Sequence, residues 1–157
     1  MRNLILTLFA FSMLVSCKEE NVTFQEQLDI DVAIIETYLS DNNITALSDQ
    51  GVYYVVEEEG TGSTFPVSSS IVSMAYSGKV MNGDGSIFDS ATATNPLKTQ
   101  LFNLISGWQV GIPKFKKEGK GTLYIPSGYA YGVFGSGSAI PGNSVLIFDI
   151  ELLDFTN

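Results

Sequence analysis

The hydrophobic positions of this chain change period twice. From Phe24 to about Ser40 the apolar residues Leu28, Val32, Ile35 and Leu39 recur at steps of four, three and four, which places them on one face of a helix. Thr23 and Glu26 have the spacing of a capping box at its start, and Asp41-Asn42-Asn43 ends it. Such a helix either packs on the rest of the chain, the simpler reading, or pairs with a second copy. After Gly51 the pattern becomes that of strands. "GVYYVVEEEG" is rich in β-branched and aromatic residues and ends in a turn. Ile71 to Val80 forms a second strand, and Ile87–Ser90 and Leu97–Asn103 are short extended candidates. Gly119–Ile125 and Ser144–Phe155 give the clearest strands. In the last of these, Leu146, Phe148, Ile150 and Leu152 share one face. Val145 and Ile147 begin the opposite face, which Asp149 and Glu151 then make polar. "SGWQVGIPKF" leaves room for one short helix, Ser106 to Gly111 or Ile112, before Pro113. The expected fold is α+β: an antiparallel sheet of about five strands with one short helix, and an extra N-terminal helix.

The first residues follow another pattern. Arg2 precedes a mostly apolar run from Leu4 to Val15, too short for a bilayer-spanning helix of about 20 residues but suited to a secretory signal. "LVSC" ends it and resembles a bacterial lipobox, with Cys17, the only cysteine, as the residue to be lipidated. Residues 1–16 are therefore expected to be a lipoprotein signal peptide and 17–22 a lipidated linker, with a helical extension over 23–50 and the main domain over 51–157. The expected location is the bacterial envelope, at the outer membrane, with anchorage through Cys17. Lys18-Glu19-Glu20 resembles the export signals of some surface lipoproteins, so the periplasmic face and the cell surface both stay open.

Charge and composition narrow the chemistry. The net charge of −9 argues against a nucleic-acid partner. The absence of histidine removes Ser-His-Asp and Cys-His catalysis, the usual proton shuttle and the commonest metal ligand. Phosphate-loop and dinucleotide-binding glycine patterns are also missing. Asn82-Gly-Asp-Gly85 lacks the further ligands of a calcium loop and reads as a hairpin turn. No metal and no cofactor are expected. Asp89 stands out among the acids because it follows Phe88 at the end of an extended segment and lies among apolar residues.

Five blocks, "MAYSG", "IFDSA", "ISGWQVG", "YIPSGYAYG" and "IPGNSVLIFDIELLDF", occur in order between Met74 and Phe155. Together they resemble the FKBP-type peptidyl-prolyl isomerases, and with the N-terminal helix and lipobox the chain is similar to single-domain FKBP-type lipoproteins of Bacteroidetes. The resemblance implies a strongly curved antiparallel sheet wrapped around the short helix, and catalysis of X-Pro rotation in proline-containing polypeptides. It implies a pocket walled by Tyr76, Phe88, Trp108 and Phe148, with Trp108 as its floor. Leu104 and Ile105 would form one side, with the Ile105 N–H binding a substrate carbonyl. Tyr131 would offer a hydroxyl, Asp89 would tune polarity, and Ala139 and Ile140 would cap the rim. Leu97 stands where the family often has phenylalanine, so one wall would be smaller. The turn before Phe88 is longer than in compact members, "IPG" replaces "IPP", and Gly137-Ser138-Ala139 replaces a Pro-Gly-Ile pattern. A binding module that uses the same pocket without catalysis is the competing reading.

Overall fold

The structure, a computed structural model, describes residues 22–157. The expected signal peptide, Cys17 and residues 18–21 of the expected linker lie outside the described residues. The N-terminal helix α1 spans Phe24–Asp41 and opens with the expected capping box: the Glu26 N–H donates to the Thr23 hydroxyl, and the Glu26 carboxylate accepts from the Thr23 N–H. The strands are β1 (Leu47–Asp49), β2 (Val52–Glu58), β3 (Ile71–Val80), β4 (Ile87–Ala91), β5 (Leu97–Gln100), β6 (Gly119–Ile125) and β7 (Leu146–Thr156). The short helix α2 covers Ser106–Gly111.

All strands pair antiparallel in one sheet of order β1-β2-β6-β7-β3-β4, with β5 also on β3. The count of seven exceeds the expected five or so because both short candidates, β4 and β5, form and β1 is added. β1 comes from the extension expected to be helical. β4 and β5 pair successive stretches of the same edge of β3, residues 76–79 and 71–74, and the chain leaves the sheet between them. The expected extended run from Leu97 stops at Gln100, because Leu101 turns into the core and a 3-10 turn follows. Register shifts at Val56/Glu58, Gly78/Lys79 and Ser73/Met74 bend and twist the strands that carry them.

The alternation of β7 builds two cores. Leu146, Phe148, Ile150 and Leu152 face the inner core with Met74, Trp108, Phe115 and Leu123. Val145 and Ile147 face the other side, with Ile35 and Leu39 of α1 and Tyr124 of β6. The polar positions Asp149 and Glu151 mark where that outer cover ends. α1 therefore packs on the sheet.

One buried residue of α1 is charged. Asp31 is fully buried, and its Oδ2 accepts from the Ser127 N–H at 2.7 Å and the Ser127 Oγ–H at 2.6 Å. Gln27 donates to its Oδ1 at 2.8 Å. A buried carboxylate needs such partners, since an unpaired one is costly. Nearby, Phe24 packs edge-on against Tyr129 at 5.7 Å. The helix thus grips the Ser127–Tyr129 turn at two points.

Asp31→Ala leaves the Ser127 donors buried and unpaired, so a loss of at least about 2 kcal/mol is expected. Urea unfolding measures it; a change below about 0.5 kcal/mol contradicts this account of the contact.

Candidate functional site

Glycines on α2 set the depth of the site. A Cβ at Gly107 would stand 2.3 Å from Ile125 Cγ2, and one at Gly111 2.7 Å from Leu123 Cδ1. Both distances are too short for real side chains, so α2 lies with bare backbone against β6. Trp108, between them, is 3% exposed and sits at the base of a pocket. Tyr76 and Phe148 stand perpendicular to its indole at 4.9 and 5.0 Å. Phe88 meets Phe148 edge-on at 5.7 Å. Edge-to-face pairs of this kind contribute about 0.5–1.5 kcal/mol beyond burial and hold rings at fixed angles. The Trp108 Nε1–H is buried with no hydrogen-bond partner among the described residues.

The pocket is lined by Tyr76, Asp89, Leu97, Leu104, Ile105, Trp108, Tyr131 and Phe148, and encloses about 80 Å³. Pockets for drug-sized ligands run to roughly 300–1,000 Å³, so this one suits a single small apolar group. Phe88, Ala139 and Ile140 lie beside it. Phe88 and Ala139 line another hollow. Ile140 is 4% exposed and belongs to the inner core, so it supports the pocket from behind and does not line it. Leu97 is among the lining residues.

The polar groups are few. Tyr76 donates its hydroxyl to Asp89 Oδ2 at 2.6 Å, and the Ser90 N–H donates to Asp89 Oδ1 at 2.9 Å. The carboxylate is thereby fixed by two donors. The Ile105 N–H, one residue before α2, makes no hydrogen bond among the described residues. Gln109 donates from Nε2 to the carbonyls of Leu104 at 2.8 Å and Phe102 at 3.2 Å, which braces the segment that presents Leu104 and Ile105. Sequence reasoning missed Gln109, which carries no local signal. It also missed Asp31, whose signal was present: an aspartate inside the apolar stripe of an amphipathic helix must have a buried partner.

Burial first, then the hydrogen bond and charge of Asp89, hold the Tyr76 hydroxyl well above the ordinary tyrosine range. Burial, and then the Asp89 charge, raise Tyr131 as well. Tyr53 is pushed up to about 12 by burial and by its hydrogen bond to Glu36, and Tyr124 to about 12 chiefly by burial. Among the described residues no group of three or more His, Cys, Asp or Glu side chains is placed to hold a metal ion.

The fold is an antiparallel sheet around a short helix, with a small, mainly apolar pocket at Trp108 whose size suits one small apolar group. The chain belongs to the FKBP-type peptidyl-prolyl cis-trans isomerase family, whose profile matches residues 62–153. It is 39% identical over 110 residues to FK506-binding protein 1A of Aspergillus fumigatus, covering 68% of this chain and 96% of that one. It is 43% identical over 108 residues to the isomerase FkpA of Escherichia coli K12, covering 68% of this chain and 38% of FkpA. A Haemophilus influenzae relative, a probable FKBP-type isomerase, is 41% identical over 105 residues, 66% of this chain. The chain spans 42% of that relative's length. The crystal structure of E. coli FkpA superposes with a TM-score of 0.69 at 35% identity, over 84% of this chain and 64% of FkpA. A Pseudomonas syringae isomerase structure gives 0.68 at 27% identity, over 82% and 96% of the two chains.

Ultraviolet titration of the seven tyrosines checks the site's electrostatics. Free tyrosine ionises near 10, so Tyr53, Tyr76, Tyr124 and Tyr131 are expected to ionise above that value. Their folded values are raised, so the stability they contribute is complete below about pH 10 and is lost as the pH climbs towards about 12. All seven ionising together near pH 10, with the fold intact, contradicts the pocket's geometry.

Proposed function

We propose that this chain catalyses cis-trans rotation of X-Pro bonds in polypeptides, with the proline ring seated on Trp108. The single observation that carries this reading is the small pocket with an indole at its base and its one carboxylate already engaged by Tyr76.

An amide resists rotation by about 18–20 kcal/mol because resonance gives C–N double-bond character. The transition state is a twisted amide with a smaller carbonyl dipole. Reaching it breaks no bond and moves no proton. A site that removes water and offers apolar walls favours the twisted form over the planar, more polar one, and this differential binding is the catalysis. Tyr76, Leu97, Leu104 and Phe148 supply those walls. The free Ile105 N–H and the Tyr131 hydroxyl are the groups that fix the substrate backbone. Asp89 holds a negative charge at the mouth without serving as a base, its oxygens bound to the Tyr76 hydroxyl and the Ser90 N–H. Phe88 braces Phe148 from behind.

The place of action we infer is the bacterial envelope, on exported or envelope polypeptides. The apolar N-terminal run and the lipobox-like "LVSC" support it, with Cys17 as the anchored residue, and the bacterial relatives named FkpA are in keeping with it. Among the described residues no helix is long and apolar enough to cross a membrane.

Isomerisation of a short peptide with leucine before proline tests the activity. Tyr131→Phe and Asp89→Ala are each expected to lower kcat/KM by about three- to tenfold, the worth of one hydrogen bond or a rearranged one. Both tyrosine hydroxyls stay protonated at neutral pH, so kcat/KM is expected to vary less than about twofold between pH 6 and 9. A folded protein that leaves the rate at background overturns the proposal.

A further inference from the structure

The polar groups at the pocket differ in what holds them. The Tyr76 hydroxyl donates to one oxygen of Asp89, the Ser90 N–H donates to the other, and Gln109 braces the segment of Ile105. Tyr131 lines the same pocket, yet its hydroxyl has no hydrogen-bond partner among the described residues, and the residue is 37% exposed. Where that hydroxyl stands is therefore set by the backbone that carries it. Downstream the backbone offers little. Gly132 follows with a φ of +59°, Phe134 is exposed, and the loop bonds chiefly to itself, Asn143 to Gly132 and Ser136 with Ile140.

Upstream the backbone is fixed. The Tyr129 N–H donates to the Pro126 carbonyl at 3.0 Å and the Ala130 N–H to the Ser127 carbonyl at 2.9 Å, which closes the turn Ser127–Tyr129. That turn is short, and its direction comes from α1. Ser127 is fully buried, and both its N–H and its hydroxyl donate to one oxygen of the fully buried Asp31. Two donors of one residue on one charged acceptor fix that residue's orientation as well as its place. Phe24, two helical turns before Asp31 on the same face, packs on Tyr129, and a Cβ at Gly128 would lie 2.6 Å from its ring. A buried carboxylate is a costly way to attach a helix, since apolar residues of similar volume often hold two elements together as well or better. Its advantage is direction. α1 lies outside residues 62–153, the part that matches the family profile.

We propose that Asp31 is a positioning residue for the isomerase reaction: through Ser127 it orients the turn from which Tyr131 enters the pocket, and so fixes where the Tyr131 hydroxyl meets the substrate backbone. A single 3-10 turn separates Ser127 from Tyr131, so any rotation of that turn carries directly to the Tyr131 backbone. α1 thereby serves the reaction as well as the core, although no residue of it lines the pocket. This inference rests on the isomerase reading of that pocket and on the part the Tyr131 hydroxyl plays in it.

The test is a double-mutant cycle between Asp31 and Tyr131. It is read as kcat/KM on a short leucine-proline peptide, under conditions where urea unfolding shows each variant folded. Asp31→Leu fills the same space without the acceptor and is expected to lower kcat/KM by about three- to tenfold, no further than Tyr131→Phe does. In the Tyr131→Phe background the same change is expected to cost less than about 1.5-fold, because no hydroxyl is left to place. Asp31→Asn keeps an oxygen towards Ser127 and is expected to restore the rate to within about twofold. Ile35→Val loosens the same helix on the outer core without touching the turn, and is expected to leave the rate within about twofold. Should Asp31→Leu fail to fold, Ser127→Ala removes one of the two donors and takes its place in the cycle, with an expected loss of about two- to threefold that again disappears in the Tyr131→Phe background. An unchanged rate in the folded variant, or an equal loss with and without the Tyr131 hydroxyl, overturns the proposal and leaves Asp31 a purely structural residue. A background rate in the unaltered chain sinks the isomerase reading instead. In that case the fluorescence of Trp108, the only tryptophan, reports peptide binding. Affinity about three- to tenfold weaker in Asp31→Leu, but not in the Tyr131→Phe background, upholds the positioning role, and unchanged affinity overturns it.

Discussion

The pocket depends on how closely α2 lies on β6. Gly107 and Gly111 are one helical turn apart, and Ile125 and Leu123 are two strand positions apart. Both pairs therefore face each other across a single contact. With no Cβ on either glycine, the helix backbone approaches the sheet closely and Trp108 drops to the level of the pocket base. Any larger residue at Gly107 would lift the helix, since Ile125 is fully buried and cannot yield. The ring angles around Trp108 follow from that seating. A third glycine extends the rule: a Cβ at Gly78 would lie 2.5 Å from Phe148 and 2.8 Å from Phe88, so the two rings meet over a bare stretch of β3.

The N-terminal helix is tied into this arrangement at the turn before Tyr131. Asp31 holds Ser127 from inside the protein, and Phe24 covers Gly128 and Tyr129. Tyr131 follows two residues later and reaches the pocket. The segment from Gly132 to Asn143 is held mainly by its own backbone bonds, Ser136 with Ile140 and Asn143 with Gly132, and Phe134 on it is 94% exposed. A firm turn thus anchors an exposed loop at the edge of the pocket. The chemistry is compatible with this economy, because bond rotation needs shape, dryness and a few fixed donors, and no proton carrier.

Much of the fold was legible because its signals are local. The capping box at Thr23, the bounds of β3 and β6, and the short helix before Pro113 all follow from residues within a few positions of each other. The two-faced pattern of β7 even marked how far α1 covers the sheet. What escaped depends on partners far along the chain. β1 is three residues long and exists only because β2 lies beside it. Leu101 leaves the strand pattern because the core needs it. Asp31 sits in the apolar stripe of α1, but the partner that this place requires lies 96 residues away. The site residues were named through the resemblance, and the structure gathers eight of the eleven pocket residues around one space. Phe88 and Ala139 line another hollow instead, and Ile140 lies in the inner core.

The central claim is that the pocket itself lowers the barrier to X-Pro rotation. Exchange spectroscopy on a proline peptide at equilibrium, with the chain present at a small fraction of the peptide concentration, measures this without any coupled reaction. The account predicts cis-trans exchange far faster than the uncatalysed tens to hundreds of seconds, and a marked slowing when Trp108 is replaced by alanine in a protein that remains folded. Peptide binding with exchange still at the uncatalysed rate would contradict it.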